Sequence, residues 1–295
     1  MKNNTSNNNF KNHIITYCFL ILSFFISNLS TAQEIIPFKL TKYNSIILDG
    51  FVNEKDAVKL MFQIAMKDGA LSPQRVNKVE SIVFKDDVSN QNTLKIANYN
   101  WENIKFYDNE LAGHGADGKI GTALFKGKSF KIDYDLNQFE IYDNLPAISD
   151  YSKLSFTQNE YGQIFITCKS TIGNETYSAD FLLQSGYSGG LLYSNAFADN
   201  NNLDAKLKTT GERTLKNAAN QSITTKQGVL PFLEIGSNTL KEVSAGFFTG
   251  SIKNQTFNYL GADVLKRFNW IFDMENQVVY IKPSKHIKDP YFEIM

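Results

Sequence analysis

Along most of the chain, apolar residues recur at every second position rather than every third or fourth. In "VKLMFQIAM" (58–66), Val58, Leu60, Phe62, Ile64 and Met66 share one face, and in "ETYSADFLL" (175–183), Tyr177, Ala179, Phe181 and Leu183 do the same. Side chains of an extended strand alternate between the two faces of a sheet, so this period predicts strands. Helical signals are few and short. Ser72 as N-cap with Pro73 behind it predicts a helix in "SPQRVNKVES" (72–81), and one or two turns are expected in "SNAFADNNN" and in "ADVLKRF". Residues 200–228 are polar and poorly periodic, and read as loops with weak strands.

The pattern occurs twice. Aligning Gly69 with Gly186 superposes the two apolar faces without a gap, matching Lys67 to Gln184 and Asp68 to Ser185. "IGTALFKGKSFKID" (120–133) and "LGADVLKRFNWIFD" (260–273) each run from an apolar-Gly step to an Asp, then into a hairpin with polar turn residues. A repeat this long predicts two similar lobes rather than a solenoid. They are expected at 33–148 and 149–295, divided near "NLPAISDYSK", where Pro146 interrupts the strand pattern.

Residues 1–32 lie outside this duplication. Lys2 and Lys11 precede the apolar "IITYCFLILSFFISNL", and "STA" offers small residues for cleavage before Gln33, the arrangement of a signal peptide. Export to the periplasm or the extracellular space is expected, and no second apolar run is long enough to span a membrane. The 30 basic and 30 acidic residues become 28 and 30 once Lys2 and Lys11 are removed. With lysines scattered and no basic stripe, nucleic-acid binding is not expected. Cys168 is the only cysteine beyond residue 32, so no internal disulfide forms. His114 and His286 have no ligand-like spacing to it, and neither a metal nor another cofactor is expected.

The carrying segments "LLQSGYSGGLL" (182–192), "DGKIG" (117–121) and "YLGADVLKRFNWIFDMENQVVYIKP" (259–283) resemble the retropepsin-like and pepsin-like aspartic peptidases, specifically their exported bacterial two-lobed relatives. That resemblance implies an all-β fold of two barrel- or sandwich-like lobes with a cleft between them. It also implies one Asp-Thr/Ser-Gly loop per lobe, the two Asp side chains sharing one proton because neighbouring carboxylates cannot both ionise. One then serves as base on a water while the other donates to the substrate carbonyl. Here Gln184 stands in the Asp slot of the second lobe, with Ser185 and Gly186 keeping the loop. In the first lobe the alignment puts Lys67 in the slot, with Asp68 and Gly69 following.

Both slots therefore lack the acid, and the loops around Lys67 and Gln184 are expected to face each other as parts of a binding cleft. The expected function is that of an inactive peptidase relative holding a peptide or protein between its lobes, since strand-like peptide binding does not require the acid pair. The alternative is an active aspartic endopeptidase using Asp68 or another carboxylate. Ser185 and Ser188 lack a base beside them in sequence, with His114 the one residue that could reach in from a loop. Asp117, Asp133 and Asp273 read as turn residues, and the aromatics of "GFFTG" as core.

Overall fold

The computed structural model describes residues 34–113, 115–216, 222–249 and 254–292. Its first half contributes β1 (Glu34–Pro37), β2 (Lys39–Leu40), β3 (Ile46–Val52), β4 (Asp56–Phe62) and β5 (Gly69–Leu71). These are followed by β6 (Val88–Ile96), β7 (Tyr99–Tyr107), β8 (Gly118–Ile120), β9 (Ser129–Asp133) and β10 (Gln138–Tyr142). The second half adds β11 (Ser152–Gln158), β12 (Ile164–Ile172), β13 (Glu175–Gln184), β14 (Leu191–Leu192) and β15 (Lys208–Lys216). β16 (Ser222–Ile235), β17 (Asn238–Phe248), β18 (Asn258–Gly261), β19 (Phe268–Asp273) and β20 (Val278–Pro283) complete it.

The duplication holds pairing by pairing. One sheet runs β3-β4-β8-β5-β7-β6, closed by a β3–β6 pairing, and the other runs β12-β13-β18-β14-β17-β16, closed by β12–β16. In each, the central strand is parallel to the strand that leads into a loop and antiparallel to the strand that leaves it. β1-β10-β9 and β11-β20-β19 then meet through antiparallel β9–β19, so both halves build one shared six-stranded layer. The fold is all-β, as the alternation predicts, and two-lobed, as the repeat predicts.

The apolar positions explain the layering. Val58, Leu60 and Phe62 of β4 enter the core, as do Phe181 and Leu183 of β13. The strand of the first segment ends at Phe62, but Ile64 beyond it still enters the core and only Met66 is partly exposed. Aromatic contacts cross the shared layer: Phe125 stacks on Phe130 at 4.0 Å, Phe130 on Phe272 at 4.7 Å, and Phe272 on Trp270 at 6.1 Å between ring centroids. Phe247 and Phe248 of "GFFTG" are buried. The two closing hairpins turn alike: Asp133 accepts from the backbone N–H groups of Asp135 and Leu136, and Asp273 from that of Asn276.

Two expectations fail locally. Residues 72–81 form turns and irregular loop, not a helix. Ser72 does accept from Gln74 N–H, but the carboxylate of buried Asp117 then takes the backbone N–H groups of Val76 and Asn77 that a helix would use internally. Residues 200–228 are more regular than expected. α2 (Leu203–Lys206) follows α1 (Asn195–Asn200), and β15 pairs antiparallel with β16 over most of its length. The ladder's backbone bonds stabilise this hairpin where apolar alternation is weak. A third short helix, α3 (Ala262–Leu265), lies where "ADVLKRF" places it, and Ser194 caps α1 by accepting from Phe197 N–H.

Candidate functional site

The site lies where β4 and β13 end. β4 is parallel to β8 with Phe62 opposite Ile120, and β13 is parallel to β18 with Leu183 opposite Leu260. Ile120 and Leu260 each precede the glycine of the apolar-Gly step, so Phe62 corresponds to Leu183 and Gln63 to Gln184. The gap-free register is thereby corrected: Gln63, not Lys67, occupies the first-lobe slot. Gly69 misled that alignment because it belongs to β5, opposite Ile120, in the way that Leu191 of β14 lies opposite Leu260.

The two glutamines meet. Gln63 Nε2 donates to Gln184 Oε1 at 2.9 Å, and the same oxygen accepts from Gly186 N–H at 3.2 Å. Both side chains are half-buried and Gly186 is exposed, so the pair is open to solvent on one side. A Cβ on Gly186 would stand 3.1 Å from Gln184 Oε1 and from Gln63 Cδ, so a larger residue there would press on the ends of both glutamines. Below the pair, Ser185 is 3% exposed; its hydroxyl accepts from Ile64 N–H and donates to Phe62 C=O, both at 3.0 Å. One hydroxyl thus fastens the second loop to the first across the lobe boundary. Ile64 stands in the corresponding first-lobe position and offers no hydroxyl in return.

Glycine at the apolar-Gly step lets each loop sit close. A Cβ on Gly121 would approach Met66 O to 2.2 Å, and one on Gly261 would approach Gly189 O to 2.2 Å. Lys67 and Asp68 are part of this backing. Their carbonyls accept from Ala123 N–H at 2.8 Å and from Gly121 N–H at 3.0 Å, anchoring the turn over residues 122–125. Neither residue hydrogen-bonds to Gln184. On the second loop, Ser188 C=O accepts from Asn44 Nδ2, and Asn44 Oδ1 accepts from Lys266 Nζ, each at 2.9 Å. Lys266 is itself paired with the fully buried Asp263 at 3.0 Å.

Of the expected site residues, the structure brings Gln184, Ser185 and Gly186 together and leaves Lys67, Asp68 and Gly69 in the backing segment. His114 lies outside the described residues, as do residues 1–33 and the cleavage position before Gln33. The serine at 185 is committed to backbone bonds. Asp117 accepts from Lys59 N–H, Val76 N–H, Asn77 N–H and Asn77 Nδ2, a structural role. Gln63 is hidden in the sequence because "QIA" carries neither the hydroxyl nor the glycine of "QSG". Aligning "LMFQ" with "FLLQ" on their shared glutamine finds it.

Chemically, the centre is a pair of carboxamides. An amide neither gains nor loses a proton near neutral pH, and it presents both donors and an acceptor. Among the described residues no carboxylate hydrogen-bonds to either glutamine, and no helix is long and apolar enough to cross a membrane.

No protein-family model matches the chain, and no curated protein sequence does. Among solved structures, it is similar to the crystal structure of aspartic proteinase from Irpex lacteus, with a TM-score of 0.57 and 13% identity. That alignment covers 88% of this chain and 99% of the other. The fold is therefore pepsin-like in its two-lobed architecture.

Proposed function

We propose that the chain is an exported relative of the aspartic proteinases that has exchanged hydrolysis for binding, holding a peptide or protein segment in the cleft between its lobes. The carrying observation is the Gln63–Gln184 hydrogen bond at the place where the two duplicated loops meet. Peptide hydrolysis by an acid pair requires a proton shared between two carboxylates, and two carboxamides hold none. What they do hold is complementary to a peptide group. With Gln63 Nε2 directed to Gln184, the oxygen of Gln63 and the amino group of Gln184 present an acceptor and a donor. An extended chain lying across them offers the matching N–H and C=O, and main-chain pairing of this kind is how sheet-rich proteins bind strands.

The alternative of an active endopeptidase working through Asp68 has less support. The Asp68 carbonyl is engaged behind the loop by Gly121 N–H, and Gln63 fills the slot. The test is direct. Purified mature protein and its Asp68→Ala variant are incubated with an unstructured protein between about pH 3 and pH 7, where shared-proton pairs work. No cleavage by either is expected, together with peptide binding retained in both. Cleavage by the native protein that Asp68→Ala abolishes without unfolding would return the chain to the enzymes. Export is tested separately: mature protein is expected to begin at or near Gln33, and soluble protein that retains Met1 would contradict it.

A further inference from the structure

Two lysines and one glutamate gather not at the glutamines but beside the segment that backs them. A cavity of about 280 Å³ opens between the turn following β8 and the hairpin turn between β11 and β12, and neither glutamine lines it. Its accessible apolar lining is the half-buried Ala123 and Met274, backed by Phe125 and Phe130, which are buried. At its rim stand the exposed side chains of Lys67 and Lys126, opposed by the single carboxylate of Glu160. Among the described residues neither lysine has an ion-pair or hydrogen-bond partner for its ammonium group.

The walls are fixed by hydrogen bonds to the backbone. Ala123 N–H donates to Lys67 C=O at 2.8 Å, and across the cavity Asn159 Oδ1 accepts from the N–H groups of Tyr161 and Gln163 while Gln158 Nε2 donates to Gly162 C=O. A Cβ on Gly162 would lie 3.7 Å from Lys67 Cβ, so the second-lobe turn reaches the stem of that lysine. The cavity is just under the roughly 300 Å³ lower end of small-molecule sites, enough for one side chain or a small aromatic acid.

We propose that this inter-lobe cavity binds a carboxylate carried on an apolar stem, the stem against Ala123 and Met274 and the charge between Lys67 and Lys126. Two ammonium groups facing one carboxylate leave a net positive rim, and an incoming anion completes the balance. On the preceding functional reading the carboxylate arrives on the bound peptide, as an acidic side chain or as the chain's own C-terminus. Only that last identification rests on the reading; the cavity's preference for an acid does not.

The probe is 4-phenylbutyrate, compared with its uncharged amide, followed through the methyl-13C signals of methionine in the intact mature protein, with Met274→Leu used to assign the reporter. The Met274 methyl is expected to shift saturably, with the acid binding about fivefold or more tightly than the amide at low salt. The double variant Lys67→Met/Lys126→Met is expected to remove that preference, and Glu160→Gln to strengthen it. No shift of Met274, equal affinities for acid and amide, or a preference untouched by the double lysine change overturns the proposal.

A second arm names the source. Two otherwise alike alanine-rich peptides are titrated, one with a central Glu and an amidated end, the other with Gln and a free C-terminus. A Lys67-dependent preference for the first supports a side chain, and for the second a terminus. If neither peptide binds while 4-phenylbutyrate does, the peptide cleft is overturned and the acid cavity stands.

Discussion

Ser185 joins the lobes with a single hydroxyl, buried, donating to Phe62 C=O and accepting from Ile64 N–H. Its removal strands two backbone groups where water does not replace the partner. Ser185→Ala is expected to cost about 1–3 kcal/mol, because buried groups left unsatisfied lose their full desolvation energy. Differential scanning calorimetry would show it, and a Ser185→Ala melting temperature equal to the native one would mean the loops are held by other means. The glutamines above it make a second, sharper test. Replacing both by Glu, which has the shape of Gln, puts two carboxylates where the amides now meet, so one must keep its proton and its folded pKa rises above the unfolded value of about 4.3. A raised acid pKa contributes stability at low pH that is lost as pH rises through it, so Gln63→Glu/Gln184→Glu should lose stability relative to native protein from about pH 4 upward. Parallel stability–pH curves for the two proteins would show that the side chains do not face each other. Gln184 was legible in the sequence because serine and glycine follow it. Gln63 was not, since its neighbours Ile64 and Ala65 serve core packing and erase the motif, and a glycine from the next strand drew the alignment onto Lys67.

At the scale of elements, what was legible followed from periodicity and what was not followed from a partner distant in sequence. β4 and β13 show their buried faces in the primary pattern, and both closing hairpins show their turn residues. The segment 72–81 satisfies every local rule for a helix start, yet Asp117 supplies acceptors that sequence neighbours cannot reveal. Four donors converge on that carboxylate, from Lys59, Val76 and Asn77. Asp117→Ala should therefore free the loop more than the sheet: hydrogen exchange at Val76 and Asn77 is expected to rise strongly while the amides of β13 keep their protection. Total stability should fall by roughly 1–3 kcal/mol, because the donors left without Asp117 are only part-buried and water can reach some of them. Exchange in this loop that is already fast in native protein would show that the carboxylate does not hold it. The β15–β16 hairpin is the converse case. Its polar sequence hides a ladder whose stability comes from backbone pairing with β17 alongside, and side-chain alternation carries little of that information.

For the molecule as a whole, the question is whether two similar lobes unfold as two. The contacts say otherwise. β9 and β10 from the first half and β19 and β20 from the second lie in one layer, and the Phe125–Phe130–Phe272–Trp270 stack runs through it without a break at the boundary. Melting either lobe would expose one side of that stack and strand the edge of β9 or β19. A protein whose lobes share core and sheet in this way is expected to unfold in one cooperative transition, and the chain carries its own reporters. Trp101 lies in β7 of the first lobe, its Nε1 donating to Leu124 C=O at 3.0 Å, while the fully buried Trp270 lies in the shared layer. Cys168 in β12 reports the second lobe; burial pushes its thiol well above the ordinary range, so it stays unreactive until the lobe opens. In mature Trp270→Phe (reporting Trp101) and in mature Trp101→Phe (reporting Trp270), fluorescence and Cys168 labelling along a denaturant titration should share one midpoint within each variant. Trp270→Phe must be read at its own lower stability, since it removes a large core side chain, so the comparison is made between probes within each variant: fluorescence against thiol labelling. Coincidence in both variants supports a single unit, and labelling of Cys168 at denaturant concentrations where Trp101 still reports native structure would establish two.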